Sequence, residues 1–131
     1  MLEHVERLEG LHPDLVKVVQ ACGAGPTHIL VVEGLRNRER QKELVAAGKS
    51  RTMFSRHLTG HAVDLAPLVD GKIDWNDKAA FEALAQSMLA EAKKLDVEII
   101  WGGGWKNFYD GPHFQLSSVR YPDEIGGGDG A

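Results

Sequence analysis

Apolar positions Leu15, Val18, Val19 and Cys22 follow the 3, 4, 7 spacing that puts side chains on one face of an α-helix. His12-Pro13-Asp14 opens that helix, with proline where a missing N–H breaks no bond, and Gly23, Gly25 and Pro26 end it. The β-branched run THILVVEGLR predicts a strand from Thr27 to Leu35. Asn37 can cap a second helix reaching Ala47, where Gly48 stops it. Lys49 to Thr59 shows no period and reads as a loop. HAVDLAPLV is a strand interrupted by Pro67, and Asp70-Gly71 after it marks a hairpin turn. The longest helix starts near Asn76 or Asp77 and carries Phe81, Leu84, Ala85, Met88, Leu89, Ala92 and Leu95 at helical spacing. VEIIW and HFQL are short strands separated by the glycine-rich GGGWKNFYDGP.

These elements predict an α+β fold with helices packed on a small, mostly antiparallel sheet. The expected organisation is one domain over residues 1–125 and a flexible Gly-rich tail over 126–131. No internal repeat is present.

Composition narrows the function classes. The chain has 131 residues, 43% hydrophobic and 26% charged, with a net charge of -4. That is an ordinary soluble composition, and its sign argues against gripping nucleic acid or anionic lipid by bulk charge. Arg36, Arg38, Arg40 and Lys42 are interrupted by Glu39 and Glu43, the pattern of a solvated helix face. Cys22 is the only cysteine. Its place in an apolar helical pattern makes it a packed thiol. MLEHVERLEG lacks the apolar segment of a signal peptide, and no apolar run approaches the roughly 20 residues of a membrane span. The expectation is a protein made in the cytosol that leaves only if something else releases it.

The chemistry concentrates in SRHLTGHAVDL, residues 55–65, and DGPHFQL, residues 110–116. A catalytic zinc site needs three protein ligands of nitrogen and carboxylate oxygen, with a position left for water. Along a regular strand Asp64 shares a face with Ala62 and Ala66, while His61 and Val63 point the other way. His61 therefore cannot share an ion with Asp64. His57 precedes the strand and can fold back over the Asp64 face through a turn at Gly60. A third ligand must come from elsewhere. His113 begins a strand, and Asp110 lies just before it across the Gly111-Pro112 turn, placed to serve as a general base. Taken singly, a histidine such as His113 is more often a surface or core residue than a ligand, His57 reads equally as a loop residue, and Asp110-Gly111-Pro112 alone is a common turn.

SRHLTGHAVDL closely resembles the S-x-H-x-x-G-x-A-x-D signature of the zinc D,D-carboxypeptidase and L-alanyl-D-glutamate peptidase family. DGPHFQL is similar to that family's second signature, a carboxylate two residues before a Pro-His or Trp-His pair. LEGLHPDLVKVV resembles the opening helix of its small phage endolysins. EGLRNRERQKELVAAGKSRTMFSRH resembles their arginine strand, second helix and approach to the metal, and WGGGW their aromatic-glycine loop. One departure is Gly104, where small endolysins often carry an acidic residue.

The resemblance implies a hedgehog/D,D-peptidase-like fold and a Zn2+ ion held by His57, Asp64 and His113. It casts Asp110 as general base and later proton donor, and Arg36 as stabiliser of the oxyanion. Ser55 would orient its loop, while Gln41 matches the family but reads equally as a helix-face residue. Trp101, Trp105, Phe108 and Tyr109 either line the cleft or cover the sheet edge, and Gly102, Gly103 and Gly104 allow backbone approach to substrate or loop closure. The implied activity is hydrolysis of bacterial peptidoglycan stem peptides, at the L-Ala–D-Glu bond, by a monomeric phage or prophage endolysin. It would be cytoplasmic before lysis and act on the periplasmic wall once the membrane is permeabilised. The alternatives are removal of a terminal D-Ala and a zinc-stabilised module without catalysis.

Overall fold

His12, Pro13 and Asp14 start helix α1 (Pro13–Gly23) as their order predicts: proline occupies the first turn and the His12 side chain accepts from the Asp14 N–H. Leu15, Val18, Val19 and Cys22 are buried on its inner face. The computed structural model describes residues 1–50, 52–105 and 109–122. Phe108 and the expected tail over 126–131 lie outside the described residues.

Asn37 caps α2 (Arg38–Ala46) by accepting the Arg40 N–H, and Asp77 caps α3 (Lys78–Lys94) by accepting the Ala80 N–H. Among the described residues, five strands accompany the helices: β1 (Leu2–Glu3), β2 (Ile29–Glu33), β3 (Ala62–Pro67), β4 (Ile99–Trp101) and β5 (His113–Leu116). They form one sheet in the order β1-β2-β3-β5-β4. β1 pairs with β2 in parallel and all other pairs are antiparallel. The expected α+β architecture with a mostly antiparallel sheet is what the chain adopts.

Alternation divides the sheet into two faces with different tasks. Ile29, Val31, Val63, Leu65, Phe114 and Leu116 enter one core with the buried faces of α1 and α3. The intervening Ala62, Asp64, His113 and Gln115 point the opposite way, and the pairs Ala62–Gln115 and Asp64–His113 are in register. Asp70 and Gly71, at φ 54° and 75°, make the two-residue turn closed by the Val69–Lys72 bridge, as a Asp-Gly hairpin requires.

Several expectations change. The strand expected over Thr27 to Leu35 is only Ile29–Glu33. Pro67 lies within β3 rather than breaking it, because β5 pairs only with Ala62 to Asp64 and calls for no N–H there. The loop from Lys49 to Thr59 contains a 3-10 turn, Arg56–Thr59. Leu89 and Leu95 keep helical spacing yet remain 36% and 42% exposed. β1 was not foreseen, since two residues are too few to show a period.

The buried side chain of Arg56 donates through Nη2 to the carbonyls of Leu116 (2.9 Å) and Tyr121 (2.7 Å). It thereby ties the turn that carries His57 to the segment after β5. Cys22 is a packed thiol as expected, and burial pushes it up to about 11, which keeps it protonated and unreactive.

Candidate metal centre

Ser55 builds the first part of the site. Its hydroxyl accepts the His57 N–H at 3.2 Å and starts the 3-10 turn. Gly60 ends the turn at φ 78°, where an added Cβ would meet the Gly10 carbonyl, so the reversal demands glycine. The turn sets the buried His57 ring over the Asp64 face of the sheet. β3 and β5 then supply Asp64 and His113 as directly opposed residues.

Both imidazoles converge on the same carboxylate oxygen. Asp64 Oδ1 lies 3.2 Å from His57 Nε2 and 3.4 Å from His113 Nδ1. One ligand atom from each residue falls within 4.8 Å of the others, so His57, Asp64 and His113 form a group that could hold a metal ion.

The outer ring atoms test that fit. His57 Nδ1 is 2.8 Å from the Gly34 carbonyl and His113 Nε2 is 2.8 Å from Gln115 Oε1. Each outer nitrogen can donate its N–H to an oxygen, leaving the inner nitrogen with a free lone pair toward Asp64. Two neutral imidazole nitrogens and a carboxylate are a ligand set suited to zinc.

The electrostatics agree with a cation site. Burial works against the charge on Asp64, yet the neighbouring His57 and His113 hold its carboxyl well below the usual range. Burial likewise opposes a charge on His113, but Asp64 and Asp110 outweigh it and raise the imidazole. Asp110 is raised, first by burial and then by repulsion from Asp64. Its Oδ2 stands 4.0 Å from His113 Nδ1, beside the group without belonging to it.

Arg36 is not on a solvated face, as the basic run suggested; its side chain is 9% exposed. Nε donates to Glu33 Oε2 at 2.6 Å, Nη1 to Gln41 Oε1 at 2.9 Å, and Nη2 to Asp64 Oδ2 at 3.2 Å. Gln41 is fully buried rather than on a helix surface, and its amide donates to Ser50 Oγ (2.7 Å) and the Thr52 carbonyl (2.6 Å). Glu33 was missed altogether. Its only signal was an acid ending the apolar run ILVV. Burial opposes its charge, but hydrogen bonds from Arg36 and Arg40 prevail and lower its carboxyl.

The aromatic-glycine segment buttresses Asp110. The Asp110 N–H donates to the Gly102 carbonyl at 3.0 Å, and Trp101 Nε1 to the Gly111 carbonyl at 2.7 Å. A Cβ on Gly102 would run into the Asp110 backbone, and one on Gly103 into the Trp101 ring. These two glycines therefore permit close packing within the chain, whereas Gly104 faces open space. The Trp105 ring centre is 5.0 Å from that of His113, and Tyr109 is exposed. His61 lies apart, with Nδ1 2.7 Å from Thr59 Oγ1 and its ring 5.6 Å from that of His12. A cleft of about 420 Å3 opens over the site and is lined by Glu33, Arg36, Lys49, Asp64, Trp75 and Asp110 among others.

The family model described as phage L-alanyl-D-glutamate peptidase matches residues 2–117. The chain is 32% identical over 126 residues to the L-alanyl-D-glutamate peptidase of Escherichia phage T5, covering 85% of this chain and 92% of the relative. It is 37% identical over 93 residues to the L-alanyl-D-glutamate peptidase of Listeria phage A118, covering 71% of this chain but only 32% of that longer protein. The crystal structure of the Serratia marcescens L-Ala D-Glu endopeptidase ChiX superposes with a TM-score of 0.84 at 42% identity, over 90% of this chain and 89% of that one.

Proposed function

Because the chain belongs to the phage L-alanyl-D-glutamate peptidase family, we propose that it is a zinc endopeptidase that cuts the L-Ala–D-Glu bond of bacterial peptidoglycan stem peptides as a phage or prophage endolysin. The observation that carries the reading is the convergence of His57, Asp64 and His113 with Asp110 beside them. A ligand set alone would suit a structural metal. The adjacent unligated carboxylate adds a group able to move protons.

His57 Nε2, Asp64 Oδ1 and His113 Nδ1 would hold the ion. When bound, zinc polarises the scissile carbonyl and makes water acidic enough to attack at neutral pH. Asp110 takes the proton of the attacking water at its carboxylate and returns it to the D-Glu amine as the C–N bond breaks. Burial serves this role, because a carboxyl of raised pKa is a better base and a sufficient acid. Arg36 Nη2 has a second N–H besides the one given to Asp64, and that hydrogen serves the developing oxyanion. Glu33 and Gln41 prevent the guanidinium from swinging away. Ser55 orients His57 and takes no part in proton transfer.

The same proposal makes residues 1–125 one catalytic unit that acts as a monomer. Among the described residues no helix is long and apolar enough to cross a membrane. The enzyme is proposed to wait in the cytoplasm and reach the periplasmic wall after permeabilisation.

The test is digestion of purified peptidoglycan, with new N-termini identified by mass spectrometry. New N-terminal D-Glu is expected. Release of D-Ala would instead indicate a carboxypeptidase, and zinc binding without any release would indicate a binding module.

A further inference from the structure

Glu33 and Asp64 are cross-strand partners on β2 and β3, at the irregular step in the pairing between Val31 and Glu33. Two carboxylates directly opposed on neighbouring strands repel each other, and the arrangement persists here because Arg36 lies between them. Arg36 Nε donates to Glu33 Oε2 at 2.6 Å while Nη2 donates to Asp64 Oδ2 at 3.2 Å. A bulge of this kind re-aims a side chain next to a functional site.

The two oxygens of Asp64 are thereby given different tasks. Oδ2 takes the Arg36 hydrogen bond, and Oδ1 faces His57 and His113. The terminal torsion of an aspartate is broad and intrinsically unselective, so a fixed partner on one oxygen decides how the other is presented. Arg36 can be that partner only if its own long side chain is held. The shortest of its three bonds is the one to Glu33. Glu33 in turn is steadied by Arg40 Nε, 3.0 Å from Oε1.

We propose that Glu33 is a positioning residue of the metal site, locking Arg36 onto Oδ2 of Asp64 so that Oδ1 is presented to the ion. This rests on the reading of His57, Asp64 and His113 as zinc ligands. Outer-shell partners of a metal ligand typically change metal affinity by about 10- to 100-fold.

The experiment is competition for zinc between the protein and a chromophoric chelator, which reads affinity without any turnover. Glu33→Gln keeps the shape of the side chain and removes its charge, and is expected to weaken zinc binding by about tenfold. Glu33→Asp restores the charge at shorter reach and should recover part of the loss. In an Arg36→Met background Glu33→Gln should add nothing, because the relay is already cut. Glu43→Gln, which alters an exposed acid 3.9 Å from Arg40, should leave affinity unchanged. Melting of each metal-free variant identifies those that remain folded, and Glu33→Asp carries the comparison if Glu33→Gln does not. Parent-like affinity in the folded Glu33 variants, or an undiminished effect without Arg36, overturns the proposal. Failure of the parent itself to bind zinc would instead defeat the metal reading beneath it.

Discussion

Asp64 and His113 face each other across antiparallel strands β3 and β5, with His113 Nδ1 3.4 Å from Asp64 Oδ1. Directly opposed residues on one face have Cβ atoms about 5 Å apart, so sheet pairing alone brings these two donors together. Only His57 arrives from outside the sheet, on a turn anchored by Ser55 and Arg56. A site mounted in this way is held by the core hydrogen bonds of the fold and should be largely formed before metal arrives.

Removing the metal should therefore abolish hydrolysis while leaving a folded chain of lower melting temperature. Zinc at 100 times its dissociation constant adds about 2.7 kcal/mol to stability. Thermal melting with chelator and then with added zinc measures the shift. Complete unfolding on chelation would show that the site is not preformed.

Asp110→Asn should lower kcat by about 10²- to 10⁴-fold with zinc retained, as measured by hydrolysis rate and bound-metal analysis. The same change should raise the melting temperature of the metal-free protein at neutral pH. Asp110 has a folded pKa raised by burial and by Asp64, so its protonated form favours folding and its ionised form opposes it. That cost appears as pH rises through the folded value and is absent below the unfolded one. The advantage of asparagine should accordingly fade as pH is lowered toward about 4.

His61→Ala should keep zinc affinity and activity near those of the parent. The ring contacts Thr59 and His12 on the far side of the strand from Asp64. Loss of zinc from this variant would contradict the assignment of the two histidines.

Trp75→Ala should raise KM more than it lowers kcat. Trp75 is 55% exposed, stacks on Phe81 with ring centres 5.9 Å apart, and lines the cleft over Asp64 and Asp110. Loss of one aromatic contact is worth about 1 kcal/mol, roughly a fivefold rise in KM on soluble stem peptides. An equal fall in kcat with KM unchanged would place its action in the transition state instead.

Arg56→Met should destabilise the fold by about 2–3 kcal/mol, since it removes the donor to the Leu116 carbonyl in a buried bond and to the Tyr121 carbonyl in a part-buried one. Urea unfolding would measure it. The guanidinium bonds Leu116 and Tyr121 from the turn that carries His57, so zinc affinity should fall as well.

Local rules made much of the molecule legible. α1 and α3 follow from apolar spacing and from caps within three residues of the helix they start. That His57 rather than His61 lies beside Asp64 follows from strand alternation and a turn at Gly60. The Asp-Gly hairpin was likewise a short-range decision, set by residues that tolerate positive φ.

Other features depended on partners remote in sequence. Burial of Gln41 arises from Arg36, Ser50 and Thr52 closing around it, and helical spacing cannot reveal which side of α2 will be covered. Leu89 and Leu95 have the right period yet stay exposed among the described residues. Glu33 shows the limit most clearly. Strand pairing sets it opposite Asp64, thirty-one residues away, and only an intervening arginine makes that opposition useful. Periodicity along the chain determined the helices, the turns and which histidine lies on the Asp64 face, because those depend on neighbours a few bonds apart. Which charges met, and which oxygen of Asp64 was left facing the site, was decided by tertiary pairing, because electrostatic partners are selected by distance in space.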